Sequence, residues 1–261
     1  MKVAKIEVDD LKSSVKKAVN EIGGFSNFVK KDDVVLLKIN ANTADEYPAS
    51  SDLDFLRVVV KFVLEEGAKE VLVGDASTVY AKTKKQFEKM KLYSLEELDS
   101  CVKIINFDEG EFVKKEIPNG EFLKSVYVSE VLDRVDKLIL LPCLKTHFLA
   151  KFTGSLKLSV GFMRPLDKLK FHVGHLEEKI AELNKIIHPD LIVMDARKCF
   201  IDKGPTCGNV RKPNFILASK SRVGIDTEGV KIIKNFKGNT LKDVNVDGLV
   251  QIKKAREFGV K

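Results

Sequence analysis

The chain has 261 residues, 44% hydrophobic and 32% charged, with 16 Gly, 7 Pro and no Trp. That length and apolar fraction suit a globular core that needs no disulfide or metal staples, and they exclude disordered, collagen-like and mucin-like chains. The 45 Lys and Arg exceed the 38 Asp and Glu for a formal charge of +7, yet the basic residues are mostly Lys spread along the whole chain, as on a solvated surface rather than a nucleic-acid footprint.

In chain order, the opening Met1 to Glu7 followed by Asp9 and Asp10 lacks the apolar core of a signal peptide. No run approaches the ~20 apolar residues of a membrane span, so no membrane partner is expected. Val34 to Ile39 is a nearly continuous apolar run, as in a strand covered on both faces. A polar loop, Asn40 to Ser50, leads to a helix capped by Ser51, striped by Leu53, Leu56, Val60, Val63 and Leu64, and ended by Gly67. Glu70 to Gly74 reads as a strand, the stretch from Thr83 to Met90 as a polar helix, and Val102 to Phe107 as a strand. Phe112 to Ile117 and Phe122 to Val128, about Pro118-Asn119-Gly120, read as a β-hairpin. Ser129 caps a short helix before the strand Lys137 to Leu141. A helix is expected from about Phe148, then one with Leu176, Ile180, Leu183 and Ile187 on one face. Strands at Asp190 to Met194 and Asn214 to Ala218 flank a loop with Gly204-Pro205 and Gly208, and helices follow near 223–236 and 247–258. Such alternation predicts an α/β fold: a mainly parallel sheet with helices on both faces, plus the β-hairpin insertion.

In open parallel sheets ligands bind outside the carboxyl ends of the strands. The residues there are Asn40 and Asn42; Asp75, Ser77 and Thr78; Lys145, Thr146 and His147; Asp195, Arg197 and Lys198; and Ser219 to Ser221. Solvation and helix capping account for some of these. The Lys, His and Asp concentrated at three ends nominate one shared cleft. On a helix from about 148, Phe148, Phe152, Leu156 and Val160 would form a buried stripe. The neighbouring face would carry Ala150, Thr153, Gly154, Lys157 and Gly161, small enough to admit a ligand or a second backbone. Lys145, Lys157 and the helix N-terminus would then cradle an anion, the other reading being tight helix packing with a solvated lysine. No GxGxxG, Walker A or GxSxG signature is present.

Three of four histidines fall between 147 and 175. His147, His172 and His175 with Asp195 could furnish a divalent metal site, or the histidines could cap helices and bond backbone. His188 precedes Pro189 at the amino end of the sheet. Cys101, Cys143, Cys199 and Cys207 contain no CxxC pair, which suits the reduced thiols of a cytoplasmic protein. Cys143, Cys199 and Cys207 could gather as metal ligands, but they lack a ferredoxin-like run and no iron–sulfur cluster is expected. Abundant Lys and Glu give the chain a thermophile-like composition.

Four segments carry a family resemblance: Val35-Leu-Leu-Lys38-Ile-Asn40; Gly67-Ala-Lys-Glu-Val-Leu-Val-Gly74-Asp75-Ala-Ser77; Leu141-Pro-Cys-Leu-Lys145-Thr146-His147 with Thr153-Gly154-Ser-Leu-Lys157 and Gly161; and Pro189-Asp190-Leu-Ile-Val-Met-Asp195 with Gly204-Pro205 and Gly208. In this order, over nearly the full length, the chain resembles the domain of unknown function 362 family, and Asp226 also looks like a family position. One departure is Leu158, where an asparagine often follows the second lysine. Some members carry a ferredoxin-like iron–sulfur domain, so the resemblance implies a possible redox protein partner, without a relay cluster in this chain.

The expectation is one domain over 1–261, open to division into two lobes around a cleft, that binds a small anionic molecule as an enzyme, with metal-assisted or redox-linked chemistry open. Lys145 and Lys157 would hold the anion and His147 would carry a proton or ligate a metal, these three forming the catalytic set. Asn40, Asp75, Thr153, Gly154 and Asp195 would bind the ligand. The alternative is a non-catalytic partner of an iron–sulfur or redox protein, marked by an exposed patch at Phe162, Met163 and Leu166; nucleic-acid binding stands behind both. The stretch from Phe162 to Val173 reads as a loop bordering the cleft.

Overall fold

Residues 2–260 are described by the structure, a computed structural model. The chain runs β1 (Val3–Glu7), α1 (Leu11–Asn20), β2 (Val34–Lys38), α2 (Leu53–Glu65), β3 (Glu70–Asp75), α3 (Thr83–Lys89) and β4 (Val102–Asn106). Then come the hairpin β5 (Phe112–Glu116) and β6 (Ser125–Ser129), β7 (Lys137–Leu140), β8 (Cys143–His147) and β9 (Lys151–Thr153). The helices α4 (Ser155–Leu158), α5 (Pro165–Phe171) and α6 (Leu176–Leu183) precede β10 (Leu191–Phe200), β11 (Val210–Arg211) and β12 (Phe215–Ser219), and α7 (Arg222–Lys234) and α8 (Val250–Glu257) end the fold. No helix among the described residues is long and apolar enough to cross a membrane.

The main sheet has the order β1-β12-β10-β7-β2-β3-β4. From β10 to β4 the neighbours are parallel, while β12 runs antiparallel to both β10 and β1. Strand side chains alternate faces, and the apolar ones separate accordingly. Val35, Leu37, Val71, Val73 and Ile139 pack with Val15 of α1 and Phe55 of α2. Leu36, Leu72, Leu138 and Leu140 pack on the other face with Leu156 of α4, Ile180 of α6 and Val230 of α7. Both faces are thus covered by helices, which is why these strands read as continuous apolar runs.

The structure departs from the sequence reading in four places. The first helical stretch after Leu141 is instead the hairpin β8–β9, paired Lys145↔Thr153, Thr146↔Phe152 and His147↔Lys151. Its turn is closed by Lys151 at φ 58°, and the four-residue spacing of Phe148, Phe152, Leu156 and Val160 merely straddles that turn. Phe148 is exposed, and helix geometry begins only at Ser155. Secondly, residues 162–173 include the helix α5 rather than an open loop. Phe162 and Met163 are buried, with Phe162 stacked on Phe107 at 5.3 Å, so only Leu166 of the expected patch is exposed. Thirdly, Asp52 rather than Ser51 caps α2, accepting from Phe55 N at 3.0 Å. Finally, β10 continues past Met194 to Phe200, pairing with β8 at Asp195↔Cys143, which puts Asp195 inside the strand.

Candidate functional site

A cavity of about 590 Å³ lies beyond the carboxyl ends of β2 and β3 and against the β8–β9 hairpin. Strand direction brings Lys38 and Asp75 to it, β8 contributes Lys145 and His147, α4 contributes Lys157, α5 contributes Lys168, and His172 follows at the end of α5. Four ammonium groups and one carboxylate therefore face one space.

Lys38 and Asp75 neutralise each other at 2.6 Å, and both are buried. Asp75 Oδ1 also accepts from Ala76 N and Oδ2 from Ala41 N, each at 2.7 Å. Its oxygens anchor the two flanking loops instead of awaiting a ligand. Gly161 packs on this pair so closely that a Cβ there would overlap Asp75 Oδ1 and Lys38 Nζ.

Among the described residues the other three lysines have no carboxylate within salt-bridge distance. Lys145 Nζ donates to the carbonyl of Ala49, and Lys168 Nζ to those of Ser77 at 3.2 Å and Ala76 at 3.4 Å. The Lys157 ammonium group makes no hydrogen bond and no ion pair among the described residues. Burial pushes Lys145 down to about 8, although Asp75 and Asp45 favour its charge. Burial, reinforced by the positive charges of Lys145 and Lys168, pushes Lys157 down to about 8. Asn40 also lines the cavity, and its carboxamide has no hydrogen-bond partner among the described residues. Thr153 lines it as well, held opposite Lys145 across the hairpin.

The two histidines are fixed in opposite tautomers. His147 Nδ1 accepts from the backbone N–H of Leu149 at 3.1 Å and of Ala150 at 3.2 Å, so a neutral ring carries its proton on Nε2. Burial first, then Lys157, His172 and Lys145, push His147 down to about 2. The neutral ring therefore presents Nε2–H as a hydrogen-bond donor. His172 Nδ1 lies 2.6 Å from the carbonyl of Lys168, which can only accept, so the lone pair sits on Nε2. Burial also holds His172 below the usual imidazole range. The cavity thus offers one neutral donor and one neutral acceptor.

The expected metal set does not assemble. His175 lies outside the cavity, largely exposed, stacked on Phe122 at 4.6 Å and 3.7 Å from Glu178. Asp195 is buried away from the cavity: Oδ1 accepts from Tyr47 Oη at 2.6 Å and Arg197 Nε at 3.0 Å, and Oδ2 from Arg197 Nη2 at 2.7 Å. Arg197 Nη2 reaches on to Asp52 at 2.6 Å, tying the loop before α2 to β10. Among the described residues no three His, Cys, Asp or Glu side chains come together as metal ligands. Cys143 and Cys199 are buried, which pushes both thiols up to about 12, while Cys207 is exposed.

Gly154 does not admit a ligand either. It sits against the Asp226 carboxylate, which caps the start of α4 by accepting from Ser155 N at 2.7 Å and Leu156 N at 3.0 Å. That carboxylate occupies the helix N-terminus read as part of an anion cradle, leaving the cradle to the lysines. Sequence reasoning missed Lys168, although its spacing of four from His172 in a stretch read as bordering the cleft was a signal. It also left Lys38 without a role, although a lysine ending an otherwise apolar buried strand asks for a partner.

The family described as a domain of unknown function (DUF362) matches residues 35–231. The chain belongs to that family. Four stretches of the family resemblance converge here: Lys38-x-Asn40, Gly74-Asp75, Lys145-Thr146-His147 and Thr153-Gly154-x-x-Lys157 all line the cavity or support it. The chain is similar to the thylakoid-associated protein sll1697 of Synechocystis sp., with 26% identity over 229 residues, covering 84% of this chain and 69% of that protein. Among solved structures it is similar to the lactate racemase apoprotein of Thermoanaerobacterium thermosaccharolyticum, with a TM-score of 0.52 and 14% identity, covering 88% of this chain. The chain spans 57% of that longer protein, and the likeness is one of fold.

Proposed function

We propose that this member of the family binds a small anionic molecule in the cavity and acts on it as an enzyme. The observation that supports this is the set of three ammonium groups, Lys145, Lys157 and Lys168, lining one cavity with no carboxylate among the described residues paired to any of them. Like charges held in a common, partly dry space repel, and an anion between them relieves that repulsion. In this reading Lys145 and Lys157 grip the anion, Lys168 adds charge, and Asn40 and Thr153 orient it. His147 Nε2–H is a neutral donor toward developing negative charge, while His172 Nε2 can take a proton. A cytoplasmic location fits four cysteines that are all free.

The test is a thermal-shift titration with phosphate, paired with mass spectrometry of any small molecule released from the purified protein. Stabilisation by phosphate that is lost in Lys145→Ala and Lys157→Ala is expected. Equal response of both variants and the parent chain overturns the reading.

A further inference from the structure

The cavity is polar at its floor and apolar at its mouth. Lys38, Asp75, Lys145 and His147 are buried at the inner end. At the outer end stand Tyr80 at 86% exposure, Phe148 at 70%, Leu149 at 51% and Leu169 at 43%, all lining the same cavity. They come from three separate segments: the loop after β3, the β8–β9 turn and α5. Phe148 is stacked on His147 at 5.2 Å, so an exposed ring is held directly beside a buried donor. Scattered apolar groups on a surface need no explanation, but a convergent set rimming a charged cavity does. Size points the same way. A 590 Å³ space is larger than an inorganic anion fills and falls in the range of sites that hold small organic ligands.

We infer that the ligand is an amphiphilic anion, with an anionic oxygen head group against the lysines and an apolar chain or ring reaching the mouth. The inference rests on the anion reading above and adds the second half of the ligand. The lysines act as point charges that accept either carboxylate or phosphate, so the tail supplies the selectivity. Each methylene leaving water strengthens binding by about fourfold.

The experiment titrates the whole chain by calorimetry with phosphate, butyl phosphate, acetate, butyrate, hexanoate and octanoate. Affinity should climb along the carboxylate series, and from phosphate to butyl phosphate, until the tail fills the mouth. The double variant Tyr80→Ser/Leu169→Ser alters only exposed side chains at the mouth. It should flatten the climb while leaving phosphate and acetate binding unchanged, and Lys157→Met should lose octanoate. Head groups that bind with no gain from a tail, a climb that survives in the double variant, or octanoate that binds equally well to Lys157→Met, each overturn the amphiphilic ligand. Failure of every anion, phosphate included, overturns the anion reading itself.

Discussion

Asp226 accepts both the backbone N–H and the hydroxyl of Ser155, each at 2.7 Å, two residues before Lys157. A buried residue of α7 thus fixes the turn that aims Lys157 into the cavity. Burial pushes the Asp226 carboxyl up to about 6. Because the folded value lies above the unfolded 3.8, the stability this group contributes is full below about pH 4 and lost as pH rises through about 6. Asp226→Asn brings a constant penalty, since its amide faces the Leu156 N–H, but it has no charge to titrate. Chemical denaturation from pH 4 to 8 should therefore show the parent chain losing stability relative to the variant between pH 4 and 7. Parallel curves would count against a buried, charged Asp226.

Lys157→Met should stabilise the ligand-free protein. The substitution keeps the unbranched stem, one atom shorter, and removes an ammonium group that has no partner among the described residues. A gain on the order of 1 kcal/mol is typical where a functional group is held at a cost to stability, which for a chain of this size raises Tm by about 2–4 °C. The same variant should lose its thermal response to phosphate. A variant less stable than the parent would show that Lys157 is a structural residue.

Anion binding should weaken in alkali. Lys145 and Lys157 are both pushed down to about 8, so the free protein starts to lose the charges that the anion needs above that pH. Affinity for phosphate, followed by calorimetry, should fall by about tenfold per pH unit for each lysine required. In the ligand-free fold the sign is opposite: contributions from these lysines are present above the unfolded 10.5 and lost as pH falls toward about 8. Binding that is flat from pH 7 to 10 would remove both residues from the site.

Glu182 should control the loop of the β5–β6 hairpin. It is wholly buried on α6 and accepts from the backbone of Phe122 at 3.0 Å and Leu123 at 2.7 Å, with Glu121 N as a third donor. Glu182→Ala leaves three amides without partners, at about 1–3 kcal/mol for each that stays buried. Hydrogen exchange at Glu121, Phe122 and Leu123 should accelerate well ahead of the central strands, and uniform acceleration would mean general unfolding instead.

The parallel strands were legible because Val34–Lys38 and Lys137–Leu140 are covered on both faces and carry little but apolar side chains. Val3–Glu7 carried a weaker signal, the alternation of an edge strand, and it went unread beside the question of a leader. The β8–β9 hairpin was hidden because Phe148 in its turn and Phe152 beyond it mimic a helical period. The position of Lys145 was legible from strand direction, and that of Lys157 from a helical face, although the helix starts only at Ser155. Asp195 was not, since whether a carboxylate meets a ligand or an arginine depends on how far β10 continues, and Arg197 lies two residues along the same strand. The tautomers of His147 and His172 were equally hidden, being set by backbone atoms of a turn and a helix that sequence does not place.

A crystal structure of the protein soaked in selenate locates an anion directly by its anomalous signal. The expected result is a selenate between Lys145 and Lys157, with its oxygens about 3 Å from both ammonium groups. Selenate bound only on the outer surface, with the cavity holding water alone, would contradict the anion site on which this account of the protein depends.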